Sequence, residues 1–236
     1  MKQLLGKLIA QRVSDGDVLG LGTGSTAEAA IAAIGARIRQ EGLSVKGVVT
    51  SLGTAHVAAA AGIEVLSSVV PHQLSWAFDG ADEVDDRGTM IKGGGGALLE
   101  EKIIAKRAGG IVVLVTAEKL VKRLGQRIPL PVEVRPSAAD DIMRQLFAMG
   151  ASEVQLRKAV RKSGPVITDS GNFILDVTFP EIKTSYESEI KLMTGVVENG
   201  LFVGLANEIM IADEGEVRIR RKDGDRWKEE PVSLPS

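Results

Sequence analysis

The chain has 236 residues, 44% hydrophobic and 25% charged, with a formal net charge of −2. That size and balance suit one large α/β domain, or a main domain with a smaller one inserted, and argue against disordered and membrane-spanning classes. Aromatic residues are only 3% and cysteine is absent, which leaves no stacking platform or basic field for nucleic acid and excludes disulfides, thiolate nucleophiles and Cys-ligated zinc. His56 and His72 are the only histidines, so acid–base chemistry falls to carboxylates and lysines. Lys2 opens an amphipathic segment rather than a signal peptide, and a cytoplasmic protein with no membrane partner is expected.

In chain order, Leu4, Leu5, Leu8, Ile9 and Val13 recur at helical spacing and predict a helix over residues 2–13. A turn follows, then a short buried strand over 18–22 and an alanine-rich helix to about Gln40. Strands are predicted at 46–51, 63–66, 74–78 and 111–115, with helices at 54–61 and 97–108. Strands alternating with helices imply a Rossmann-like, mostly parallel sheet with helices on both faces. In such sheets ligands bind beyond the carboxyl ends of the strands. The unusual loops after Gly22, Ser51, Phe78, Lys92 and Val115 should therefore gather on one rim.

Pro129-Leu130-Pro131 marks a change of rhythm. Strands at 132–134 and 153–157, a helix at 137–149, a hairpin around Gly171, a helix at 181–194 and a strand after Gly195 suggest a smaller ferredoxin-like α+β domain. Two further strands, 208–212 and 216–220, rejoin the first domain. The expected division is thus 1–128 with 205–236 for the Rossmann-like catalytic domain and 129–204 for the small one. Residues 222–236, charged and without apolar period, read as a loose tail.

Three stretches carry chemistry. Gly20-Leu21-Gly22-Thr23-Gly24-Ser25-Thr26 lies between a strand and a helix N-terminus, where free amides, the helix dipole and hydroxyls favour an anion. Ser25 with Glu28 also matches a capping box, and Val49-Thr50-Ser51 ends the next strand in hydroxyls rather than in a ribose-binding acid. Those hydroxyls favour a phosphate over an adenosine ribose. Thr54 reads equally well as an ordinary helix cap. The second stretch, Asp79-Gly80-Ala81-Asp82-Glu83-Val84-Asp85-Asp86, follows an apolar strand. Asp79 there points into the rim and Asp82 lies a turn further, while Glu83, Asp85 and Asp86 read as a solvated turn. Magnesium on this acidic cluster stands as an alternative.

The third stretch runs from Lys92 through Gly93, Gly94, Gly95 and Gly96 into a helix bearing Glu100 and Glu101. The glycines offer backbone amides at close approach. On a helical wheel Glu101 shares an arc with Ala97, Leu98, Ile104, Ala105 and Ala108, whereas Glu100 falls beside Arg107. A carboxylate among small apolar residues is costly without a task, and partial burial raises its pKa toward the range of a general base. A plain charge at a helix N-terminus is the competing reading of Glu101.

These runs, with Glu101-Lys102-Ile103 and Pro129-Leu130-Pro131-Val132-Glu133-Val134, resemble ribose-5-phosphate isomerase type A across residues 1–220. The resemblance implies an aldose–ketose isomerase of the non-oxidative pentose phosphate pathway, interconverting D-ribose 5-phosphate and D-ribulose 5-phosphate through an enediolate. It implies substrate contacts at Thr23, Gly24, Ser25, Thr26, Asp79, Gly80, Ala81, Asp82, Lys92, Gly93, Gly94, Gly95 and Lys119. Catalytic roles fall to Glu101 as general base, Lys92, Asp79 and Asp82, and Lys2 aligns with a lysine near the phosphate. It further implies no metal or redox cofactor and a homodimer or homotetramer. One departure stands out: the family has arginine just before the catalytic glutamate, where this chain has Glu100. A non-catalytic sugar-phosphate sensor and a CoA transferase are the competing classes.

Overall fold

The computed structural model describes residues 1–224 and 226–232. Its first elements are α1 (Lys2–Ala10), β1 (Val18–Leu21), α2 (Ser25–Glu41), β2 (Lys46–Val49), α3 (Leu52–Ala60) and β3 (Glu64–Leu66). Next come β4 (Trp76–Gly80), the two-residue strands β5 (Glu83–Val84) and β6 (Met90–Ile91), α4 (Leu98–Arg107) and β7 (Ile111–Thr116). A 3-10 turn at Ala117–Lys119 leads to β8 (Leu130–Val134), α5 (Ala139–Ala148), β9 (Glu153–Leu156) and β10 (Phe173–Thr178). The chain closes with α6 (Tyr186–Lys191), β11 (Val196–Asn199), β12 (Leu201–Phe202), β13 (Ala206–Asp213), β14 (Glu216–Asp223) and β15 (Arg226–Pro231).

One compact unit comprises residues 1–81, 100–119 and 204–236. Its sheet has the order β15-β14-β13-β7-β4-β1-β2-β3. Strands from β13 to β3 are parallel, and β14 and β15 add antiparallel. β7 reads Ile-Val-Val-Leu-Val-Thr and is buried almost throughout, as a strand covered on both faces must be. Leu19 and Leu21 of β1 join a core with Leu5, Ile9, Ile31 and Ile34 of α1 and α2. Gly20 points to the opposite face, where a Cβ would lie 2.6 Å from Ile104 Cγ2 and 2.5 Å from Ala77 Cβ. Helix α4 therefore packs on the face away from α1 and α2, and the expected α/β architecture with helices on both faces is what the chain adopts. Helix α1 ends earlier than its apolar period suggests, because the Arg37 guanidinium takes the carbonyls of Ala10 and Val13.

The second unit comprises residues 82–99 and 120–203. Its four-stranded sheet, β11-β8-β10-β9, is antiparallel throughout, and the chain order β-α-β-β-α-β is the ferredoxin-like one. Val132, Ile142, Leu146, Leu175, Val177 and Ile190 fill its core. A three-stranded sheet, β12-β6-β5, completes the unit.

Three expectations need correction. The division at residue 129 is displaced: residues 82–99 group with the second unit because β5 and β6 build a sheet with β12 and Ile91 joins the core of Leu130. Helix α6 spans only Tyr186–Lys191, since Ser185 makes no side-chain cap and residues 181–184 stay outside the helix. The tail is not loose over 226–231. There β15 pairs with β14, and Arg218 and Arg220 meet Glu229 at 2.7 and 2.5 Å, so cross-strand charge supplies what apolar period does not. The rest of that tail reading, at 225 and 233–236, lies outside the described residues.

Candidate active site

Strands β2, β1, β4 and β7 run parallel, so their carboxyl ends share one edge of the sheet. At that edge the loop after β1 and the end of β4 interlock. A Cβ on Gly22 would stand 2.2 Å from Asp79 Oδ1, so only glycine lets the loop lie against this carboxylate. Asp79, 3% exposed, accepts from the backbone N–H of Thr23 at 3.1 Å and of Gly80 at 2.7 Å through Oδ1. Two amides on one carboxylate oxygen fix it in direction.

The hydroxyls at the neighbouring strand end close on the same loop. Thr23 Oγ1 lies 2.6 Å from Thr50 Oγ1, 2.9 Å from Ser51 Oγ and 3.0 Å from Thr54 Oγ1. Thr50 donates to the carbonyl of Leu21 and Thr54 to that of Gly22, both at 3.1 Å. Ser51, rather than Thr54, caps α3 by accepting from Thr54 N. Thr23 is thus part of a hydroxyl cluster that braces the loop.

Gly24, at φ +105, precedes the 17-residue helix α2, and no side chain caps it. The capping box expected from Ser25 and Glu28 does not form. Ser25 is instead the first helical residue, and its Oγ accepts from Lys2 Nζ at 2.7 Å. Ser25 is exposed, and Thr26 is partly so. An ammonium, two hydroxyls and the positive end of a helix suit a dianion. Lys119 is half-buried in the 3-10 turn that follows β7, so it shares this edge.

On α4, Glu101 is 5% exposed while Glu100 is half-buried. Ile104, one turn on, is the residue that overlies Gly20, so the face bearing Glu101 is the one turned to the sheet. Ala97, Leu98 and Ala105 are buried as the helical wheel requires. The sequence reading missed Lys102, which is 2% exposed; its place between Glu101 and two isoleucines was the available signal.

In the second unit, Asp82 and the glycine loop meet. Asp82 Oδ2 accepts from Gly94 N at 2.8 Å, and a Cβ on Gly94 would sit 3.0 Å from both carboxylate oxygens. Ala81, which joins Gly80 to Asp82, is half-buried. Gly93 (φ +104) and Gly96 (φ +79) turn the loop, closed by Gly96 N to Gly93 O at 3.0 Å. Lys92 is 3% exposed; its backbone N–H donates to Gly200 O, and its Nζ lies 5.5 Å from the Phe202 ring centroid. Gly94 and Gly95 are exposed. Lys92 follows β6 of the three-stranded sheet, so it is not at a strand end of the large sheet as expected.

The solvated-turn reading fails for Glu83. It is fully buried and accepts from the N–H groups of Gly125, Arg127 and Ile128 at 2.7, 2.7 and 3.2 Å. Asp85 does hold a turn, accepting from Arg87 and Thr89, and burial pushes its carboxyl above the ordinary value despite those amides. Sequence reasoning also missed Arg157, which donates to the carbonyls of Gly93 and Gly94 at 2.8 and 3.2 Å. Among the described residues, no group of three or more His, Asp or Glu is gathered as a metal ion would need.

These features define a class: a Rossmann-like α/β protein whose strand-end loops suit a small anionic ligand and which keeps a buried carboxylate after a glycine loop. Residues 46–216 match the family model of ribose 5-phosphate isomerase A (phosphoriboisomerase A). Ribose-5-phosphate isomerase A of Methanothermobacter thermautotrophicus is 44% identical over 94% of this chain and 97% of its own, and that of Thermosynechococcus vestitus is 44% identical over 93% and 95%. The solved ribose 5-phosphate isomerase A of Methanocaldococcus jannaschii superposes with a TM-score of 0.89 at 42% identity, over 94% of this chain and 98% of that one. A D-ribose-5-phosphate isomerase solved in complex with phospho-erythronic acid gives 0.90 at 39% identity, over 94% and 97%. The chain belongs to the ribose-5-phosphate isomerase A family. It is an aldose–ketose isomerase that interconverts ribose 5-phosphate and ribulose 5-phosphate.

Proposed function

We propose that the interconversion runs through an enediolate, with Glu101 taking the proton from C2 of the aldose and returning it to C1. The observation that carries this reading is the burial of Glu101, beside the half-exposed Glu100, on the sheet-facing side of α4. A positioned general base contributes about 10²–10⁴ in rate. Charge grows on the substrate oxygens as the C2 proton leaves. Lys92 and the Gly95 amide of the glycine loop are the donors for it, the Gly94 amide being held by Asp82. Asp79 and Asp82, each fixed by backbone amides, take up hydroxyl protons during ring opening and transfer between O1 and O2. Lys2, Ser25, Thr26 and the α2 N-terminus hold the phosphate, with Gly24 giving close approach and Lys119 adding a second cation.

The complex of a relative with phospho-erythronic acid supports the enediolate. A carboxylate spreads negative charge over two coplanar oxygens, as an enediolate does. A cytoplasmic enzyme assembled as a homodimer or a dimer of dimers completes the proposal, and light scattering on the purified chain tests the assembly. The reaction itself is tested by incubating the chain with ribose 5-phosphate in the presence of EDTA. Ribulose 5-phosphate should form; tight binding of the sugar phosphate without turnover would make the chain a sensor instead.

A further inference from the structure

We propose that Arg157 is a positioning residue for the isomerisation: it holds the carbonyls of the glycine loop so that the Gly95 amide is aimed at the substrate oxygen that gains charge. This rests on the reading above that the loop receives that oxygen. Arg157 follows β9, and its backbone N–H is tied to Ile174 O of β10 at 2.9 Å. Its Nε and Nη2 meet Asp176 of β10 in a two-point pair at 2.9 and 2.5 Å. A planar guanidinium engaged along that edge has Nη1 turned elsewhere, and Nη1 donates to Gly93 O at 2.8 Å and Gly94 O at 3.2 Å.

A trans peptide is flat, so its N–H points opposite to its carbonyl. With Gly93 C=O on Arg157, the N–H of Gly94 must face away from the guanidinium. It does, and Asp82 Oδ2 receives it at 2.8 Å. The same geometry at the next peptide sends the exposed Gly95 N–H away from Arg157 as well. Two successive amides pointing one way form an anion-accepting concavity, and Asp82 occupies the first. A cationic donor on the carbonyl also polarises the peptide and strengthens its N–H as a donor. An ion pair whose side chains are 17% and 22% exposed would be unremarkable by itself; the two loop carbonyls on Nη1 are what distinguish it.

The test compares kcat and KM for ribose 5-phosphate in Arg157→Gln, Arg157→Lys, Asp176→Asn and Lys92→Met, each checked for folding by circular dichroism and thermal melting. Loss of one oxyanion donor costs about 10²–10³ in kcat, and misaiming one should cost less, about 10- to 100-fold in Arg157→Gln, with KM changed less than about threefold. Arg157→Lys should fall between that variant and wild type, Asp176→Asn should lose less, and millimolar guanidinium should partly restore Arg157→Gln. A folded Arg157→Gln with wild-type kcat, or with loss confined to KM, overturns the proposal. Should Arg157→Gln not fold, wild-type kcat in both Arg157→Lys and Asp176→Asn overturns it. Lys92→Met separates the two ideas. A large loss there with unaffected Arg157 variants rejects only the positioning role, whereas full activity in Lys92→Met rejects the oxyanion reading beneath it.

Discussion

Gly22 and Asp79 restrict each other. The carboxylate occupies the space in which any Cβ on Gly22 would lie, 2.2 Å from Oδ1 and 2.7 Å from Asp79 Cα. Gly22→Ala should therefore displace the carboxylate and its hold on Thr23 N. The expected stability loss is about 1–3 kcal/mol, the usual cost of overpacking. Activity at temperatures where the variant is fully folded should fall by at least about tenfold, because a misplacement near 1 Å in a site is costly. Unchanged kcat in a folded Gly22→Ala would show that the orientation of Asp79 does not matter to the reaction. Glu101 and Glu100 make a related point. They are chemically identical neighbours, and only the helix face, 5% exposed against half-buried, separates a buried carboxylate from one that meets solvent.

Strand β5 is two residues long, yet Glu83 within it anchors a distant loop. Its carboxylate collects three backbone N–H groups from residues 125–128. Glu83→Ala strands those donors, and hydrogen bonds to a charged group contribute about 1.5–3 kcal/mol each, so the variant should lose at least about 2 kcal/mol in urea unfolding. A loss under about 0.5 kcal/mol would mean that water replaces the carboxylate without cost. This role had no visible sign in the sequence, where Glu83 is one acid among several. The helices and buried strands were legible because their apolar residues recur at 3.6 or run continuously, as in β7. β5, β6 and β12 were not, since two residues define no period. The hydroxyl cluster was half legible: Thr50, Ser51 and Thr54 stand out in the chain, but only the parallel pairing of β1 with β2 brings them to Thr23. Arg157 was silent for a similar reason, since it reaches Gly93 from 64 positions away.

Charge pairs tie the edge strand β15 to the large sheet. Arg218 and Arg220 hold Glu229 of β15, Arg221 bridges Glu208 and Glu230, and Lys228 pairs with Asp223. The hydrogen bond from Arg220, with the positive charge of Arg220 and Arg218, keeps the Glu229 carboxyl below its ordinary value of 4.5. A carboxylate lowered in the folded state adds stability above its unfolded pKa, and loses it as pH falls through the folded one. Glu229→Gln should thus be less stable than wild type at pH 7 by up to about 1 kcal/mol, the range of exposed ion pairs. The difference should shrink in urea unfolding as pH falls below the ordinary carboxylate value, and vanish once the wild-type carboxyl is protonated in the folded state. An equal deficit at pH 7 and in acid would point to packing instead. Asp85 acts with the opposite sign: burial raises its carboxyl, so its cost is present above the folded pKa and is relieved on acidification. The rejoining of 206–223 to the first sheet was legible from its apolar strands, whereas β15 was hidden by a polar composition that only the facing arginines make sense of.

On the proposal made above Glu101 carries the proton between C2 and C1, and that transfer can be measured. It is tested most directly by running ribose 5-phosphate in D₂O with wild type, Glu101→Gln and Glu100→Gln, following ribulose 5-phosphate and deuterium at C1. Wild type and Glu100→Gln should both turn over and incorporate solvent label, while Glu101→Gln, still folded, should lose about 10²–10⁴ in kcat and incorporate almost none. Full turnover and labelling by Glu101→Gln would show that another group moves the proton.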